Sequence, residues 1–260
     1  MPHTMLHNAE IHYEVDGRGP GLVLVHGTGG DADSVFGNVV DHFTRTRTVV
    51  RPNFSGSGQT TDDGAPLTVE LIADQVAAAT RAAVAGPVDL LGFSLGAVAA
   101  AAVAATHPQL VRRLVLVGGW AHSTHPRDQF YFQTWRKLLD TDRELFKRFS
   151  TLTGFSPTAL DSWGHQGLAD SLTDAWPPPG IGRQIDLGAR VDLRPLLPGI
   201  TAPTLVVGFT GDAMIPVEGS RELNAAIPGS RLVEVAQGHM DWFADPTGLV
   251  ALTRDFLDAD

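Results

Sequence analysis

The sequence predicts an α/β fold, a mostly parallel central sheet with helices on both faces. Three observations carry this. From Glu10 to about Gly118, β-type runs alternate with helix-type runs. The runs beginning at Thr48, Val88 and Leu114 are short, continuous and β-branched, as strands covered on both faces must be. The alternation then stops for a long helical excursion and resumes at Thr204.

Taken in order, Ile11–Val15 alternates as a half-exposed strand, and the glycine-rich turn from Asp16 leads into a buried strand at Leu22–Val25. Val35 to Phe43 reads as a helix, and Thr48–Pro52 as the next strand. Val69 to Val84 is a strong helix, with Ala, Leu, Ile and Val recurring at three- and four-residue intervals until Gly86 and Pro87 stop it. Strands at Val88–Leu91 and Leu114–Val117 follow. Between Trp120 and Leu197 no convincing strand appears. Helices are expected at Arg127–Leu139, Arg143–Thr151 and Pro157–Ser171, and then Trp176–Gly180 forms a rigid proline break. Strands at Thr204–Gly208 and Arg231–Val235 and helices at Val217–Ile227 and Thr247–Leu257 complete the chain.

The most informative residues are Gly92, Phe93, Ser94, Leu95 and Gly96, which stand between a strand and an alanine-rich helix. A serine at such an elbow needs small neighbours two positions before and after it, because the turn crowds strand against helix. The hydroxyl is then pushed out above the sheet, over a helix start that stabilises negative charge. A serine hydroxyl is a poor nucleophile at neutral pH; it needs an imidazole to take its proton and a carboxylate to orient that imidazole. Asp212 and His239 each stand just past a strand end, so Ser94 is expected as nucleophile, His239 as general base and acid, and Asp212 as the orienting carboxylate. A plain structural turn is the bland alternative for Ser94. Asp241, two residues from His239, competes with Asp212 but would have to bend back towards the ring.

The elbow and the order serine, aspartate, histidine resemble the α/β-hydrolase family. The resemblance extends over nearly the whole chain and includes the His26–Gly30 loop after the Leu22 strand. It implies an oxyanion hole from the backbone N–H groups of Thr28 and Leu95, with the His26 ring holding the loop. It also implies a helical cap inserted after the sixth strand. The chain then divides into a core part at 1–119, a cap at 120–197 and a second core part at 198–260. Where many members carry arginine and aspartate in the turn after the next strand, this chain has Asn53, Phe54 and Ser55, a departure that concerns scaffold shape more than chemistry.

Composition narrows the classes. A chain of 260 residues with 43% apolar content buries a substantial core as one domain with an insertion. Zero cysteines exclude disulfides, thiol catalysis and cysteine metal sites. A formal charge of -10 without a basic cluster argues against nucleic acid. The start of the chain shows no signal peptide, and no apolar run reaches the ~18 residues of a membrane span, so the cytoplasm is the default location. The Gly27–Gly30 segment lacks the Gly-Lys-Ser/Thr ending of a phosphate loop and the dinucleotide fingerprint. Histidine–glutamate metal spacings are missing too, so neither a cofactor nor a metal is implied.

All five tryptophans follow residue 119, four of them in the excursion. Their flat apolar area suits a pocket wall and equally suits helix packing. Trp120, at a strand end, and Trp135 are candidate pocket residues, with Phe93, Met214 and Ile215; packing is the alternative for each. His122 and His125 are expected in solvent, with the pocket as the alternative for either. The expected function is hydrolysis of a small to medium, largely apolar carboxylic ester, lactone or thioester through an acyl-enzyme on Ser94. An inward-pointing Arg136, Lys137, Arg183 or Arg190 would contradict the apolar reading. Alternatives on the same triad are acyl transfer, C–C bond hydrolysis or cofactor-free haloperoxidase-like activity. A non-hydrolytic cyclase or isomerase, or a binding module, is the rival of a different class. The expected partner is a small molecule, and a homo-oligomer stays open.

Overall fold

The computed structural model describes residues 2–173 and 175–259. Eight strands form one sheet: β1 His3–Leu6, β2 Ala9–Gly17, β3 Gly21–Val25, β4 Thr48–Pro52, β5 Val88–Phe93, β6 Val111–Val117, β7 Thr204–Phe209 and β8 Arg231–Val235. Their spatial order is β1-β2-β4-β3-β5-β6-β7-β8. The β1–β2 and β2–β4 pairs are antiparallel, and every pair from β4–β3 to β7–β8 is parallel. The fold is α/β as the alternation predicts.

Side chains of successive strand residues enter opposite layers. Val23, Leu90, Leu114 and Val206 pack in one layer with α2 (Val69–Ala83) and α3 (Leu95–Thr106). Leu22, Leu24, Val115 and Leu205 pack in the other, beneath α1 (Ala32–Phe36) and α9 (Thr247–Leu257). Residues Leu95 to Ala104 of α3 are all buried, and alanine at six of these ten positions lets the helix lie close on the sheet.

Four helices lie between β6 and β7: α4 Pro126–Thr141, α5 Arg143–Gly154, α6 Pro157–Asp170 and α7 Ile181–Gly188. α6 is broken at Gly164, where φ is 62°. α7 was not expected from the sequence; a triple proline precedes it and glycines at both ends dilute its pattern. α8 (Val217–Ala226) and α9 close the chain. Two other expectations change. The Val35–Phe43 run is not one helix: α1 starts earlier, capped by Asp31, and stops when Gly37 N–H bonds Asp33 O, leaving a separate 3₁₀ turn at Val40–His42. β1 is a further strand, and its alternation of exposed and half-buried residues at the sheet edge explains why its polar sequence hid it. Among the described residues, no helix is long and apolar enough to cross a membrane.

The closest approach in the fold is at the β5–α3 elbow. A Cβ on Gly92 would stand 2.1 Å from Gly96 O, and one on Gly96 would stand 2.0 Å from Val25 O. Neither backbone oxygen can move aside without moving a buried strand or helix. Gly96→Ala is therefore expected to lower stability by about 1–3 kcal/mol or more, whereas Gly248→Ala, which meets no atom within 4 Å, should be neutral or slightly stabilising. Urea unfolding midpoints check this; coincident curves for the two variants would show that the elbow has slack.

Candidate active site

At the elbow, Ser94 takes φ 57° and ψ -123°, a conformation rare for a residue with a side chain. Its N–H is held by Val117 O at 2.8 Å, so neighbouring β6 secures the turn. Leu95 is the first residue of α3, and its N–H therefore has no acceptor within the helix. The side chain of Ser94 is lifted above the ends of the parallel strands, where open α/β sheets bind their ligands.

Asp212 follows β7. Its Oδ1 accepts the N–H groups of Met214 at 2.8 Å and Ile215 at 2.7 Å, which leaves Oδ2 facing His239 Nδ1 at 2.5 Å. His239 follows β8, and its Nε2 lies 3.0 Å from Ser94 Oγ. The three side chains thus form one hydrogen-bonded line, and all three are buried. Gly118, with φ 57°, leaves the imidazole its room: a Cβ there would sit 3.2 Å from His239 Cε1. Asp241 is committed elsewhere. Its Oδ1 accepts Ser156 N–H at 2.9 Å and its Oδ2 accepts Gly238 N–H at 2.8 Å, so it shapes the loop that presents His239.

The loop after β3 runs directly against the serine. A Cβ on Gly27 would meet Ser94 Cβ at 2.8 Å, so glycine is required there. Thr28 lines the same cavity as Ser94 and His239. The His26 ring stacks on Phe54 with centroids 4.1 Å apart, and its Nδ1 lies 2.9 Å from Gly27 O. Burial lowers its pKa from 6.5 to about 4 against the opposing pull of that hydrogen bond, so the ring is neutral at ordinary pH.

Two residues of the helical insertion clamp this loop, and sequence reading missed both roles. Gln184 on α7 accepts Gly29 N–H at 2.8 Å and donates to Ser57 Oγ at 2.8 Å, while Trp176 Nε1 donates to Gly29 O at 3.0 Å. Gln184 is fully buried. Nothing local in the sequence signals this, because the partners lie 155 residues apart.

The cavity beside Ser94 measures about 180 Å³. Phe93, Trp120, Trp135, Met214 and Ile215 all line it, as do Phe132, Trp176 and Phe243, which the sequence did not single out. None of Arg136, Lys137, Arg183 and Arg190 lines it. Arg136 pairs with Asp140 and Asp186, Arg183 with Asp62, and Arg190 donates to Leu67 O. His122 departs from its expected exposure: it is buried, its backbone bridges to Asp192 and its Nδ1 lies 2.7 Å from Thr124 Oγ1, while His125 is exposed.

Residues 20–246 match the family model of the alpha/beta hydrolase fold. The chain belongs to this family. It is 41% identical over 253 residues to pyrrolizixenacetamide deacetylase of Xenorhabdus hominickii, covering 96% of this chain and 95% of that one. A pimeloyl-[acyl-carrier protein] methyl ester esterase of Xanthomonas oryzae pv. oryzae is 30% identical over 249 residues, covering 88% and 90%. Among solved structures, an alpha/beta hydrolase enzyme from a Medee basin deep-sea metagenome library superposes with a TM-score of 0.90 at 20% identity, covering 100% of this chain and 98% of the other. This α/β hydrolase is accordingly an enzyme, and hydrolase or esterase chemistry is the activity its relatives share.

The buried His26 gives a measurable pH dependence. Above pH 6.5 the ring is neutral in both folded and unfolded chains and contributes nothing. As pH falls from 6.5 towards about 4, the unfolded chain takes up a proton that the folded one refuses, so stability falls. The loss from this group reaches about 3 kcal/mol and is constant below pH 4. His26→Gln should flatten that limb of the stability–pH curve; an acid slope parallel to wild type would show that His26 does not set it.

Proposed function

We propose that this α/β hydrolase is a serine hydrolase that cleaves a small to medium, largely apolar carboxylic ester, lactone or thioester. The observation that carries the reading is the line Asp212–His239–Ser94 opening onto a small aromatic cavity. Ser94 Oγ forms a bond to the substrate carbonyl carbon while its proton passes to His239 Nε2. Asp212 holds the tautomer with Nδ1 protonated and stabilises the imidazolium. The N–H groups of Thr28 and Leu95 receive the developing oxyanion, helped by the start of α3. The carbon–oxygen or carbon–sulfur bond then breaks as the leaving group takes the proton from His239. Water, giving its proton to the same imidazole, attacks the acyl-enzyme, and Ser94 recovers its proton as the acid leaves.

Residues 120–197 act in this reading as a cap over a core made of 1–119 and 198–260. A cavity of about 180 Å³ is small beside the roughly 300–1,000 Å³ of sites that enclose drug-sized ligands. It favours a short acyl group, with the rest of the substrate extending beyond it. No cationic side chain lines it, which disfavours a carboxylate or phosphate on that group. A second reading, amide deacylation, is favoured by the 41% identical relative, whose name is that of a deacetylase of an acetamide. It needs the same residues, with His239 protonating a departing amine. A small-molecule partner is common to both.

A fluorophosphonate is expected to leave one adduct, on Ser94, and none on Ser94→Ala. An adduct on another serine would overturn the assignment. Asp212→Asn should lower kcat on p-nitrophenyl acetate by about 10⁴-fold, and Asp241→Asn far less, since that carboxylate serves backbone N–H groups; the reverse ranking would move the orienting role. Gln184→Leu leaves Gly29 N–H without its acceptor and should lower kcat by roughly tenfold or more with a smaller change in KM. Equal loss in both constants, or in neither, would remove Gln184 as a positioning residue. Comparing p-nitrophenyl acetate with acetanilide separates the ester and amide readings.

A further inference from the structure

On the far side of the Trp120 wall lies a second cavity of about 510 Å³. Trp120, Phe132 and Ile215 line both cavities, and at the rim of the second stand His122, His125 and Glu222. The two histidines lie where the chain leaves β6 for the helical insertion, and Glu222 projects from α8 of the sheet-bearing part. The carboxylate faces both rings: Oε1 is 2.8 Å from His125 Nε2 and Oε2 is 3.5 Å from His122 Nε2. The ring centroids are 4.6 Å apart, and one ligand atom from each residue can be chosen so that all three lie within 4.8 Å.

From these residues we propose a binding site for a divalent transition-metal ion of the zinc class, held by His122 Nε2, His125 Nε2 and the Glu222 carboxylate. Imidazole nitrogen and carboxylate oxygen are ordinary ligands for such ions. With bonds near 2.0–2.1 Å in a tetrahedron, ligand atoms stand about 3.3–3.4 Å apart. The two histidine–glutamate separations, 2.8 and 3.5 Å, bracket that spacing, and a rotation of the exposed His125 side chain makes the remaining adjustment. His122 is already oriented for the task. It is buried, its Nδ1 accepts the backbone N–H of Thr124 at 3.3 Å and lies 2.7 Å from Thr124 Oγ1, and these contacts turn Nε2 towards Glu222. An ion bound at Nε2 moves the ring proton to Nδ1, where Thr124 Oγ1 accepts the hydrogen bond.

The surrounding charge suits a cation. Asp128, Glu218 and Glu222 line the cavity against one cation, Arg127, and Arg127 is taken up by the carbonyls of Ala213 and Met214. The nearby Arg194 is paired through two hydrogen bonds to Asp192. Three protein ligands leave a fourth position for water or for a ligand in the cavity. An ion there would tie the entry of the helical insertion to α8, beside the shared wall of the Ser94 cavity. Sequence spacing alone hides the set, because Glu222 and His125 are 97 residues apart.

The test is isothermal titration of chelator-stripped protein with zinc chloride, paired with thermal unfolding at each ratio. The expected result is one ion per chain with micromolar or tighter affinity and a raised unfolding midpoint in wild type. His125→Ala and Glu222→Gln should each weaken binding at least tenfold and lose the midpoint shift, while their metal-free unfolding curves show that they fold. No binding, or binding unchanged in both variants, would overturn the proposal; the second result would place the ion elsewhere, for example at the exposed His3–Glu10 pair. The outcome is independent of the Ser94 chemistry, which a fluorophosphonate reads in the same stripped sample.

Discussion

Close backbone contact between β5, α3 and β3 is the constraint on which the rest depends. Gly92 and Gly96 are the only side-chain-free positions around Ser94 in the elbow, and each faces a backbone oxygen or carbon closer than a Cβ tolerates. That contact forces the chain through a positive φ at Ser94, and the turn lifts the hydroxyl clear of the sheet. It also sets the first N–H of α3 beside the hydroxyl and lets the Gly27–Gly30 loop pass within touching distance of it. Strain of order 1–3 kcal/mol at one residue is held by ten consecutive buried residues of α3 and the fully buried β5.

Polar order is concentrated where the strands end. Asp212 is surrounded by donors, two backbone N–H groups and the imidazole, which fix the direction of its carboxylate. His239 touches the Phe93 ring on one side, 4.8 Å between centroids, and Gly118 on the other. The imidazole is thus fixed in place by packing before any substrate arrives. Apolar walls around it exclude water and raise the effect of each fixed dipole, so preorganisation and desolvation act together.

What was legible in the sequence follows from which interactions are local. The parallel strands were readable because burial on both faces makes them continuous apolar runs, as in Leu22–Val25 and Leu114–Val117. The elbow was readable because its steric demand falls within five residues. Ser94, Asp212 and His239, read from motif and order, lie in one hydrogen-bonded line, and the five side chains expected at a pocket all line the cavity. Hidden were features set by partners far along the chain. β1 depends on pairing with β2, α7 is masked by prolines and glycines, and Gln184 matters only because folding brings it to Gly29. His122 differs for the same reason: it is buried where its backbone bridges to Asp192, seventy positions on.

The insertion does more than cover the site. Trp135, Phe132 and Trp176 form its aromatic wall, and Trp176 and Gln184 also hold the two polar groups of Gly29. Wall and loop are therefore one mechanical unit. A change in the insertion that reshapes the cavity also moves the loop that carries Thr28. Cavity shape and loop position are coupled through Gln184 and Trp176. α4 belongs to the same unit: its Trp135 stacks on Phe146, which stacks on Trp176, and a Cβ on Gly188 at the end of α7 would meet Phe132 at 2.7 Å. The helix that faces the cavity and the segment that grips Gly29 are thus tied together by one aromatic stack.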